Sequence, residues 1–138
     1  MPGEHADAFQ ASVKRCLESP SFIKDFYERF TGTSEEIREK FRNTDFERQN
    51  RMLADSLYAM VVAVQGGPKN LVRRDMKRLA QRHQEMHITS GMYDTWLECL
   101  LQSAKAFDPQ FSPALEQAWR ETLSPGIEYM RAGKPFES

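Results

Sequence analysis

The chain has 138 residues, enough for one domain with a sizeable core. Hydrophobic residues make up 40% and charged residues 28%, and the net charge is −1, so the bulk properties exclude a polybasic binder of nucleic acid or anionic membrane. No apolar run approaches the ~20 residues of a membrane span. The polar start "MPGEHADAFQ" lacks a signal-peptide pattern, and Cys16 and Cys99 are too few for a disulfide framework or a zinc site; the expected location is a reducing cytoplasm.

The pattern predicts an all-α chain, with helices near 7–18, 20–31, 34–42, 45–65, 70–87, 90–106 and 112–131 and short tails at 1–6 and 132–138. Ser19-Pro20 opens the second helix as N-cap and first-turn proline. On it, Phe22, Phe26 and Phe30 line one face with Ile23 and Tyr27 beside them. An inward Tyr27 ring then needs a partner for its hydroxyl. Thr33-x-x-Glu36 and Thr44-x-x-Glu47 match capping boxes for the next two helices. Helix 45–65 carries the stripe Phe46, Gln49, Leu53, Leu57, Met60 and Val64. Gln49 is its one polar member: either it has a hydrogen-bonding task, or it reaches water from the stripe's edge.

Gly66-Gly67-Pro68 breaks the chain before helix 70–87. There Val72, Met76, Leu79, Ala80, His83 and His87 gather in one stripe, while Arg73, Arg74, Lys77, Arg78 and Arg82 make a basic stretch that is either a solvated face or a dock for an anionic partner. An imidazole on an apolar stripe is either a core histidine bonded to a carbonyl or a metal ligand. No Cys, Asp or Glu shares the stripe, so a zinc site is excluded. One protein ligand suffices only for a metal that brings its own equatorial ligands, as haem iron does. Asp108-Pro109 is a second break, Ser112-Pro113 opens the last helix, and Pro125-Gly126 should kink or interrupt it.

Together these residues resemble a globin, and among globins the bacterial single-domain haemoglobins and the globin domains of flavohaemoglobins. The resemblance runs from about residue 7 to 131. It is strongest in "FYERFTGTSEEIREKF" (26–41), similar to that family's Phe-Tyr pair followed by the phenylalanine that wedges against haem, here Phe41. With a two-residue deletion after Phe41, Gln49 and Leu53 match the distal positions over the haem. His83 matches the proximal histidine, Tyr93 a proximal-side tyrosine and Trp119 a tryptophan of the last helix. Flavohaemoglobins also place a glutamate in that helix, bonded to the proximal histidine and tyrosine. Spacing from Trp119 puts Lys134 there instead.

The resemblance implies a single globin domain, about seven helices around haem b, with His83 Nε2 on iron and its Nδ1–H bonded to a backbone carbonyl. Phe41 and Leu53 would exclude water, Tyr93 would lie on the proximal side, and Tyr27 and Gln49 would donate hydrogen bonds to a bound gas. His87 either contacts a haem propionate or caps its helix. The implied partners are O2, NO and CO. The first implied role is reversible O2 binding for storage, delivery or scavenging. The others are an NO dioxygenase served by a separate reductase and a gas sensor acting through a partner protein.

Overall fold

Side chains that recur every three or four residues dictate where this chain becomes helical, and its caps decide where each helix starts. The structure is a computed structural model describing residues 4–64, 81–83 and 88–132, with the backbone alone at 4–6, 60–64, 129 and 132. Six helices are described: α1 (Glu4–Leu17), α2 (Phe22–Thr31), α3 (Glu35–Lys40), α4 (Phe46–Val64), α5 (Ser90–Phe107) and α6 (Pro113–Ala132). Residues 81–83 are helical too, inside the expected helix 70–87; the rest of that helix, Gly66-Gly67-Pro68 and His87 lie outside the described residues. Among the described residues there is no strand, and no helix is long and apolar enough to cross a membrane.

Most of the expected starts shift by a residue or two. α1 begins at Glu4, three residues ahead of expectation. Ser34, not Thr33, caps α3: its Oγ accepts the Ile37 amide at 3.1 Å, while the Thr33 hydroxyl donates to the Phe30 carbonyl. Asp45, not Thr44, opens α4 by accepting the Arg48 amide at 3.3 Å. Ser19 accepts the Ser21 amide within a turn, and α2 starts only at Phe22. Ser112-Pro113 does what its sequence implies, with Ser112 Oγ accepting the Leu115 amide at 3.2 Å.

Of the kink or interruption expected at Pro125-Gly126, the interruption does not occur, for α6 runs as one helix to Ala132. Proline removes one amide donor, but Pro125 sits on the exposed face, where water can serve the freed carbonyl. The neighbouring Ser124 hydroxyl donates to the Arg120 carbonyl.

Packing follows the aromatic residues. α1 lies against α6 and α2 against α5. Phe9 meets Trp119 edge-on at 5.1 Å, Phe22 meets Phe107 at 6.0 Å and Phe26 meets Trp96 at 5.9 Å. Trp119, Phe9, Phe22 and Phe26 are fully buried, each worth roughly 1.5–3 kcal/mol of transfer from water. Cys16 and Cys99 are free thiols in this core.

A polar cluster ties α1 to the α5–α6 corner. Asp108, just past α5, accepts Ser12 Oγ at 2.6 Å, Arg15 Nε at 2.6 Å and Nη2 at 2.9 Å, and the Gln110 amide at 2.9 Å. Trp119 Nε1 donates to the same Ser12 oxygen at 2.9 Å. Each buried polar group here has a partner, as burial demands.

Candidate functional site

Two side-chain pairs stand out, each built across helices. The first joins α2 to α4. Tyr27 lies on the buried face of α2 beside Phe26 and Phe30, and Gln49 lies one turn into α4, just ahead of buried Leu53. Gln49 Nε2 donates to Tyr27 Oη at 3.0 Å. The half-buried Gln49 therefore has a hydrogen-bonding task, and the Tyr27 hydroxyl finds its partner without turning outward. Burial pushes the Tyr27 phenol up to about 12, despite a lowering by the Gln49 amide, so it stays a neutral O–H.

Aromatic rings frame this pair. Phe41, half-buried at the end of α3, packs 5.6 Å from Tyr27 and 5.8 Å from Phe30. Phe46, the first residue of α4, packs 5.6 Å from Tyr27 and stacks 6.0 Å from Phe41. The sequence places Phe46 in the apolar stripe of α4, yet it is partly exposed. Its contacts with Phe41 and Tyr27, 5 and 19 residues away, depend on how the α3–α4 turn folds back.

The second pair joins residues 81–83 to α5. The His83 carbonyl accepts the Ile88 amide at 3.1 Å, and Thr89 then caps α5 by accepting the Met92 amide. Buried Tyr93, in the first turn of α5, reaches the histidine, with His83 Nδ1 3.2 Å from Tyr93 Oη. Among the described residues the group within reach of this nitrogen is a phenol, which α5 returns to the ring. Desolvation, and then the positive charge of Arg82, lower the His83 pKa and favour the neutral imidazole. α5 also links the two pairs, since Trp96, one turn beyond Tyr93, packs edge-on against Phe26, the neighbour of Tyr27.

His87 and Lys134 lie outside the described residues. Tyr27, Phe41, Gln49 and Leu53 gather at the α2–α4 crossing, and His83 and Tyr93 meet at the start of α5.

The profile of the bacterial-like globin family matches residues 20–123, three quarters of the chain and both pairs. The chain belongs to this family. This globin is also similar to a crystal structure from Pseudomonas aeruginosa PAO1, of a protein described as structurally highly homologous to a human haemoglobin. The two share 28% identity and a TM-score of 0.85, over 94% of this chain and 98% of that one. No curated protein matches it.

A bacterial-like globin implies a haem cofactor, and the donor chemistry of this globin fits one. His83 offers a single imidazole, oriented by Tyr93 and neutral by its surroundings. Among the described residues no three His, Cys, Asp or Glu side chains group to hold a bare ion. A single imidazole such as that of His83 would suffice to hold an iron whose other ligands come with the porphyrin.

Proposed function

We propose that this globin binds O2 reversibly, and NO and CO at the same iron, with His83 as the iron ligand and Tyr27 and Gln49 holding the gas. The role that follows is O2 storage, delivery or scavenging. When bound, haem b supplies an iron that takes up a diatomic gas and shares electron density with it. The chain's own residues do the rest.

The observation that carries this reading is the direction of one hydrogen bond. Gln49 donates and Tyr27 accepts, so the Tyr27 proton is left to be given elsewhere. A neutral phenol whose oxygen is already engaged is a polarised donor, suited to a gas atom that has gained partial negative charge. In the tautomer whose Nδ1–H donates to Tyr93, the Nε2 lone pair of His83 would be free to hold iron, and the contact would orient the ring. Phe41 and Leu53 supply the apolar walls that keep water from competing.

Rates of gas release from the haem-loaded chain test the assignment. Donation to a partly charged ligand is worth roughly 1–3 kcal/mol, so Tyr27→Phe should speed O2 release by about tenfold or more. CO takes on less negative charge and its release should change little. Gln49→Leu should act in the same direction, through the lost polarisation of Tyr27. O2 release unchanged in both variants would overturn the assignment. Mixing the O2-loaded protein with NO then tests the role: one stoichiometric oxidation marks a binder, and sustained turnover with a supplied reductant marks an NO dioxygenase.

A further inference from the structure

Tyr27, Phe41 and Phe46 form a triangle of rings, with centroids 5.6, 5.6 and 6.0 Å apart. The three corners differ in surroundings. Tyr27 is 5% exposed, while Phe46 is 38% exposed and is one of the large apolar side chains left facing water. Phe46, Gln49, Leu53 and Leu57 follow the helical spacing of one face of α4, so Phe46 is the solvent-side end of the stripe that carries the hydrogen-bonding pair inward.

Phe46 is also less tightly held than its neighbours. It is the first residue of α4, anchored in the backbone by the Asp45 cap. Its ring touches the other two from one side and meets water on the other. Rotation of such a ring outward breaks two aromatic contacts and no hydrogen bond. Rotation inward restores a cover over Tyr27.

We propose that Phe46 is a gating residue, whose ring closes the solvent route to the Tyr27–Gln49 pair and sets how fast a small molecule passes. It takes no part in how tightly that molecule is held. The inference rests on the reading of Tyr27 and Gln49 as the ligand-facing pair. A door lowers the barrier equally in both directions when removed, so association and dissociation change together while affinity does not.

The test uses the haem-loaded chain with CO and O2 as probes. Phe46→Ala should raise CO association after flash photolysis and CO dissociation in parallel, by about tenfold each, with affinity constant within about twofold. Phe46→Trp should slow both. A second readout needs no gas: O-acetylation by N-acetylimidazole, located by peptide mass spectrometry, with and without haem. Tyr58, 54% exposed, should react in every variant. Tyr27 should be protected in the native chain and in Phe46→Trp and become reactive in Phe46→Ala. Unchanged rates in both variants, a change in dissociation alone, or a Tyr27 still protected in Phe46→Ala would each overturn the gate. A shift in O2 release on Tyr27→Phe with no effect at Phe46 defeats the gate alone. No shift on Tyr27→Phe defeats the underlying reading, whatever Phe46 does.

Discussion

A single out-of-place polar residue is the most informative signal that a helix offers, and three of them mark this site. Gln49 in the stripe of α4, Tyr27 among the phenylalanines of α2 and His83 on an apolar stripe each need a partner once buried. That need is legible in the sequence. The partners are less so: Gln49 finds Tyr27 22 residues back, and His83 finds Tyr93 10 residues on. Both outcomes depend on how loops close, which local pattern does not encode. With His83 as the iron ligand, His83→Gly should lose the Soret band of bound haem during gel filtration, and added imidazole should restore it. Haem retention equal to that of the native chain, without imidazole, would place the ligand elsewhere.

The helices were legible as stretches and less so at their ends. Thr33 and Ser34 stand side by side, as do Thr44 and Asp45, and either member of each couple can accept an amide from the first turn. The choice falls to the residue whose backbone is extended where the helix begins, as Ser34 is. In α6 the local rule allows a kink or a break, and the break does not occur. Pro125 is carried inside an unbroken helix because it faces water and because the helix is pinned on both sides of it by buried Trp119, Leu123 and Ile127. Proline there still forgoes a backbone bond, at a propensity cost of up to about 3 kcal/mol relative to alanine. Pro125→Ala should therefore stabilise the protein by roughly 1–2 kcal/mol in urea unfolding, after the entropy gained by the unfolded chain is deducted. A destabilised variant would show that the ring is needed where it sits.

Over the whole molecule, the aromatic core was foreseeable from helical spacing, whereas the cluster around Asp108 was not. The sequence marks Asp108-Pro109 only as a break, and Ser12 and Arg15 lie more than 90 residues earlier. Burial alone would raise the Asp108 pKa. Donation from Arg15, Ser12 and the Gln110 amide outweighs that and holds it below the usual carboxylate value. A lowered folded-state pKa means that the stabilisation is complete above about pH 4, the unfolded value, and is lost as the pH falls through the folded one. Asp108→Asn should cost roughly 2–3 kcal/mol at neutral pH. The gap between variant and native chain should narrow on acidification below about pH 4. Urea midpoints across pH 7 to about 3 measure this, and a constant gap would remove Asp108 as a source of acid sensitivity.

The same cluster bears on biosynthesis. α1 is made well before its partners: the carboxylate that binds its serine and arginine follows them by 96 and 93 residues, and the indole that covers its phenylalanine comes later still. During synthesis α1 cannot make these contacts until Asp108 and Trp119 have emerged from the ribosome. A nascent chain stalled before Asp108 has no means of docking α1 through these bonds.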